Sequence, residues 1–423
     1  MTPETHSRAI VETVVAQHAE DLGMVWNSRQ ILARSGHVDL RRLARIDSRI
    51  AAHLDGCVVA GADGFVHLLA CLVDPTPATI FSVAAAALES NDQAGLEHVL
   101  TAGEALPDTF AGLASAFGWA PRDRLAGVVR NLLVSESPFR RRLGIASCRL
   151  HGVDPGAILV TALHDPDPSI RAEAFRTAGT IGLANLLTSC IAAMDDGDSA
   201  CGFWAAWSAV LFGDRQLALQ MLSTIGLAPG PHRTRAFRLA LQAQTLDTAH
   251  ALLQEIASDP GEIRRAILGS GIVGDPKYVP WLIRHMSNKA LARAAGEAFR
   301  LITGADLAWL DLERKPPEDF ESGPNDDPND PDVAMDPDNG LPWPDQARVD
   351  KWWTANAPRF QAGARFFLGG AVTREHCLEV LKNGYQRQRV LAAHYLCLLG
   401  PGTPLFNTSA QAQRQQQALA QMS

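Results

Sequence analysis

Aromatic residues are scarce: they make up 6% of the 423 positions, against 47% hydrophobic residues in all. Ala and Leu supply much of the apolar content, and neither loses much side-chain freedom in a helix. A basic surplus is missing too. Lys and Arg number 38 against 46 Asp and Glu, a formal charge of −8, whereas nucleic-acid binders usually carry a cationic excess for neutralising phosphates. Cys57, Cys71, Cys148, Cys190, Cys201, Cys377 and Cys397 are scattered, odd in number and contain no CxxC. That is the usage of reduced core residues in a cytoplasmic protein. Met1 to Arg8 leads into no apolar secretory region, and the most apolar stretch, Gly56 to Val73, contains Asp63 and His67. These gaps set the expectation of a soluble, cytoplasmic chain. Catalytic signatures are lacking as well: there is no GxSxG elbow, no HExxH and no Walker loop.

What is present is repetition. From about Asp74 a short Asp/Pro/Gly turn leads into a helix, a Gly-containing turn and a Leu-rich helix, again and again. Phe139, Ile170, Gly202, Thr234, Ile263 and Ala292 occupy equivalent first-helix positions, at steps of 31, 32, 32, 29 and 29 residues. Such a period accommodates two helices of about twelve residues and two short turns. Amphipathic pairs of this kind cannot bury their apolar faces alone, so neighbours must stack. The expected fold class is all-α, an α-α superhelix or solenoid. Its segments are an N-terminal helical flank over 1–73, a repeat array over 74–307, an acidic Pro-rich linker over 308–350 and a C-terminal helical segment over 351–423. In the flank, helices are expected from about Glu4 to Trp26 and from Val38 to Leu54. A last helical pair ending near Leu399, with Arg387-Gln-Arg389 opening its second helix, reads as one more repeat.

Arg171 and Ala174, with Gly271, Gly274-Asp275, Pro280 and Leu282, resemble the two halves of the HEAT-like repeat named after phycobiliprotein lyases. Ile267 departs from that pattern, as do Trp204 and Trp207, which replace small residues. The flanks resemble a family of bacterial HEAT-repeat proteins often encoded beside type VI secretion spike and effector genes. The resemblance rests on His18-Ala-Glu20, Trp26, His53-Leu-Asp-Gly56, Ala60-Gly61, Leu341-Pro-Trp-Pro344 and Trp352-Trp353. It implies an accessory or adaptor role with a protein partner. Some HEAT-repeat enzymes hold a di-iron centre with His-Glu pairs, but none of the thirteen histidines here is followed by Glu.

Other constellations have plain readings. Gly269-Ser-Gly-Ile-Val-Gly274 fits GxGxxG, but a helix precedes it and the repeat register explains Gly271 and Gly274 as turn residues. His376, Cys377, His394 and Cys397 read as packing residues; adjacent helix positions diverge too far to face one metal. Pro316 to Asp345 holds ten acids and no Lys or Arg, so the rest of the chain is close to neutral. Its Asp336-Pro-Asp-Asn-Gly340 has the flavour of a calcium loop but lacks the closing Glu, and a solvated, self-repelling linker is the expected state. The candidate partner-binding residues are Trp343, Trp352 and Trp353, whose alternative is core packing, and the basic run Arg140, Arg141 and Arg142. No catalytic, cofactor or metal residue is expected. The functional expectation is a non-enzymatic protein-binding scaffold or adaptor, for which a secretion effector or spike component is the candidate partner. The alternatives are a bilin-lyase-like enzyme holding a chromophore or other small ligand, and a HEAT-type nucleic-acid-binding protein.

Overall fold

The alternation of capped turns and apolar runs folds into twenty-two α-helices among the described residues, accompanied by two antiparallel strand pairs of two residues each. The computed structural model describes residues 10–318, 320, 322–324 and 334–422. The all-α helical-repeat class expected from the sequence is the one observed. Each equivalent position opens a helix: Pro138–His151, Pro168–Ile181, Ser199–Leu211, Arg233–Ala243, Ile263–Val273 and Ala292–Thr303. Turn chemistry fixes several of these starts. Ser137 accepts from the Arg140 N–H ahead of Pro138, and Asp198 accepts from Ala200 and Cys201, so N–H groups with no helical partner are satisfied. Gly271 departs from its expected turn role. It lies inside the Ile263–Val273 helix, where a Cβ would stand 2.7 Å from the Ala298 Cα, so its glycine serves close helix packing. Gly274 does end that helix, at φ 75°.

The chain divides into two compact units: Met1–Arg34, Leu40–Ile181 and Asn407–Gln421 form one, while Ser35–Asp39, Gly182–Phe406 and Met422–Ser423 form the other. This division cuts across the segments 1–73, 74–307, 308–350 and 351–423, because it falls within the repeat array.

In the first unit Pro77–Ser90, Phe110–Trp119, Pro138–His151 and Pro168–Ile181 pack in a row, neighbour on neighbour. Glu12–Leu32 and Leu40–Val59 pack on Pro77–Ser90. The start of the expected Glu4–Trp26 helix lies outside the described residues, and its end runs six residues on, because Arg29 continues the buried face. Arg29 Nε donates to Asp47 at 2.5 Å, and its Nη groups donate to the Ser409 and Ala410 carbonyls at 3.0 and 2.9 Å. The Ala412–Gln421 helix of this unit brings Arg414 to the carbonyls of Gly118, Trp119 and Ala120, at 2.7, 2.7 and 2.6 Å. There a cation meets carbonyls at the end of the Phe110–Trp119 helix, where the macrodipole favours it.

In the second unit Ser199–Leu211, Arg233–Ala243, Ile263–Val273 and Ala292–Thr303 make the corresponding row. Every residue from Cys201 to Leu211 is buried. Second helices cover one side of the row. On the other side, Gln386–Leu399 packs against Ser199–Leu211 and Arg233–Ala243. The last helical pair is therefore folded back onto earlier repeats. Gln242 fixes this return: its Nε2 donates to the Leu391 carbonyl at 3.0 Å and its Oε1 lies 3.1 Å from His394 Nδ1. Arg365 adds bonds to the Leu241 and Gln244 carbonyls at 2.9 and 2.8 Å.

The acidic segment leaves and rejoins this unit through a two-residue ladder, Glu313 opposite Pro344 and Arg314 opposite Trp343. No single helix among the described residues is long and apolar enough to cross a membrane.

Candidate functional site

The first-helix row carries arginine at a repeating position. Arg140, Arg235, Arg264 and Arg293 each follow an equivalent position by one residue, so Arg235, Arg264 and Arg293 recur along one side of the second unit's row. One turn further along, Arg238 stands at the register that the next two repeats fill with Ile267 and Gly296. Around it lies a cavity of about 480 Å³, walled by Phe237, Leu268, Ile272, Leu301 and Leu391 and lined by Arg238, Arg264, Arg265, Arg387, Glu297 and Pro337. Its size suits a ligand pocket, and an apolar wall with a few charged groups is the usual composition of one.

Most of these cations are matched. Arg264 donates to Asp338 at 2.5 Å, Arg265 to Glu262 at 2.6 Å and to the Gly226 carbonyl. Arg387 donates to Glu297 and to the Pro337 carbonyl, both at 2.7 Å. Arg293, beside the cavity, holds Asp336 with two bonds of 2.6 and 3.0 Å and donates to the Asp338 carbonyl at 3.1 Å. Its guanidinium also lies 5.0 and 4.8 Å from the ring centres of Phe320 and Trp343, within cation–π range. Arg238 differs. Among the described residues it makes no hydrogen bond or ion pair, and burial, then Arg387 and Arg235, push its pKa down while Glu297 pulls it up. Burial likewise raises the Glu297 carboxyl against the pull of Arg387.

The solvated linker expected over 316–345 is corrected at its C-terminal end. Asp336 and Asp338 are ion-paired, and Asp338 is only 2% exposed. Asp345 caps the Gln346–Asn356 helix. The segment contains no cation, so Asp336 and Asp338 take their partners, Arg293 and Arg264, from the repeats. Asp319, Glu321, Asp326, Asp327, Asp330 and Asp332 lie outside the described residues.

The candidate residues named from the sequence lie elsewhere or within the core. Trp343 is buried, between Phe320 at 4.7 Å and the Arg293 guanidinium. Trp352 packs on Phe299 and Trp353 on Phe360, each at 5.6 Å between ring centres, and both are half-buried. Arg140 pairs with Glu97 and Glu104 at 2.6 and 3.0 Å, Arg141 with Asp165 at 3.1 Å, and Arg142 lies 3.8 Å over the Phe110 ring. That basic run is thus spent on contacts inside the first unit. His376 Nε2 lies 2.7 Å from the Phe367 carbonyl, His394 meets Gln242, and Cys397 Sγ donates to the Thr403 carbonyl at 3.3 Å, so these side chains take separate partners. The cavity arginines escaped the sequence reading, although the recurrence of Arg264 and Arg293 at one register was a signal for them. Trp309, 87% exposed on the turn before the acidic segment, gave no signal.

His394 fixes the cavity wall from behind, edge-on to Trp207 at 6.3 Å. Burial, aided by Arg238, lowers its pKa from 6.5 to about 3, so the folded state holds it neutral. A depressed histidine contributes stability above its unfolded pKa and loses it as pH falls towards the folded value. The second unit should lose about 2 kcal/mol from this residue between pH 6.5 and pH 5. Urea midpoints at pH 7 and pH 5 check this, with H394Q showing a correspondingly smaller decline.

The fold and cavity define an all-α repeat protein with an arginine-lined groove on its first-helix row. No family model, curated protein or solved structure matches the chain.

Proposed function

We propose that the chain is a non-enzymatic protein-binding scaffold whose working surface is the groove of the second unit. One observation carries this reading: the groove already receives polypeptide. Asp336 to Asp338 lies at its rim, where Asp336 and Asp338 engage arginines and Pro337 presents its carbonyl to Arg387. A surface that orders one acidic stretch by side-chain and main-chain contacts has the chemistry to order another. The narrower reading, a cytoplasmic adaptor for a type VI secretion effector or spike component, is supported by the resemblance of the flanking residues.

A photo-reactive amino acid at Thr234 or Leu268, introduced in the native host, tests the scaffold. Both positions should yield one and the same protein adduct, which Val134 in the first unit should not, and the adduct should co-purify reciprocally. No adduct at either position would overturn the proposal. Secretion genes next to the coding sequence would support the narrower reading, and their absence would remove it. The mainly apolar cavity also gives the bilin-lyase-like alternative its one favourable observation. A visible-absorbing small molecule bound in place of a protein would establish that reading instead.

A further inference from the structure

We infer that the cavity at Arg238 is the receptor for a carboxylate side chain of a partner polypeptide, flanked by apolar residues. The inference rests on the scaffold reading and gives its partner a chemistry. Arg264, Arg265, Arg293 and Arg387 each hold a carboxylate of this chain. Arg238 is hydrogen-bonded to none among the described residues: burial, Arg387 and Arg235 push its pKa down, and the one carboxylate that pulls it up, Glu297, is held by Arg387 at 2.7 Å. A guanidinium partly withdrawn from water beside two like charges costs stability unless an anion joins it. The repeat does not require this cation, because the same register carries Ile267 and Gly296 in the next two copies. A group that burdens the fold and is not demanded by it is the mark of a binding residue.

Size and lining select the ligand class. About 480 Å³ is far more than a bare ion occupies, and the walls of Phe237, Leu268, Ile272, Leu301 and Leu391 would leave a polar small ion poorly covered. A carboxylate with an apolar neighbour fits both features. The chain supplies its own precedent, since Asp336-Pro-Asp338 fills the adjoining anion positions at Arg293 and Arg264 from a turn in which the Asn339 N–H donates to the Asp336 carbonyl. A partner strand continuing from that rim would place its acid on Arg238 by the same charge-assisted geometry.

The test uses the full chain and a fluorescein-labelled Leu-Glu-Leu-Glu-Leu peptide, followed by anisotropy at physiological salt. The acidic probe should bind at least about tenfold tighter than its Gln counterpart, and R238Q should abolish that preference. R238K, which keeps the charge but not the fork, should retain part of it. The Tm of R238Q should be unchanged or raised, because an unmatched cation is removed; a purely structural arginine would lower it. Three results would overturn the inference: equal affinity of R238Q and the native chain, equally effective displacement by millimolar succinate or phosphate, or binding only after Asp326, Asp327, Asp330 and Asp332 are neutralised. The last would assign the cavity to the chain's own segment. A partner cross-linked at Thr234 whose binding survives R238Q would remove this inference and leave the scaffold standing. Probe binding that R238Q abolishes, with no adduct in the host, would do the reverse.

Discussion

Replacing Arg293 with Ala is expected to destabilise the second unit by about 3–5 kcal/mol, the range for removing one partner of a buried ion pair. The Arg293 side chain is 8% exposed and that of Asp336 is 13% exposed, so water cannot readily take over either charge. The loss goes beyond one bond. The guanidinium makes a two-pronged contact with Asp336, donates to the Asp338 carbonyl and lies close to the Phe320 and Trp343 rings. Burial pushes the Asp336 carboxyl up, and Arg293 together with the Asp338 N–H more than offsets this, holding it below the usual range. Without Arg293 the acid stays buried and uncompensated. Urea unfolding of R293A should show the fall in midpoint. R293M/D336L, which replaces the pair by apolar groups of similar bulk, should recover most of it. If the double variant is as unstable as R293A, the ion pair is not what holds the segment.

Gly274→Ala should cost about 2–5 kcal/mol, the sum of a left-handed backbone penalty and an overpacking penalty. Gly274 ends its helix at φ 75°. A Cβ there would stand 2.1 Å from the Phe366 carbonyl oxygen, while the Phe366 N–H donates to the Gly274 carbonyl at 2.8 Å. The backbone cannot retreat from the clash without breaking that bond. Gly261, with only the Asp259 carboxylate 3.3 Å from its would-be Cβ, should accept Ala to within about 1 kcal/mol. Thermal denaturation of the two variants separates these outcomes. A neutral Gly274→Ala would mean that the close approach to Phe366 is not fixed.

The helices and their period were legible because they rest on local chemistry. Ser137 and Asp198 cap starts that their own neighbourhoods announce, and the apolar runs around Ile170 and Ala205 stack by the same rule in every copy. The return of Gln386–Leu399 was not legible. Its pattern is that of any repeat helix, and only tertiary packing decides which neighbours it meets. The site was half legible. Arg264 and Arg293 recur at a fixed step, but the acids they hold lie 74 and 43 residues away. Read alone, the acidic segment has nothing to pair with and so looks solvated. Trp343 is buried rather than exposed for a related reason: a Trp beside a Pro-rich stretch carries no local sign of the guanidinium that will cover it.

The folded-back helix has a consequence for how the second unit acquires its structure during synthesis. Gln242 takes its side-chain partners Leu391 and His394 from 149 and 152 residues downstream. At roughly 5–20 residues per second of translation, the face carrying Phe237 and Trp207 waits about 10–30 s for its cover. An array with nearest-neighbour contacts alone could close copy by copy as it emerges. Here the contact order is raised by one late element, so these repeats cannot reach their final packing before the residues up to Leu399 are made. A growing chain in that interval presents an apolar face of the kind chaperones engage.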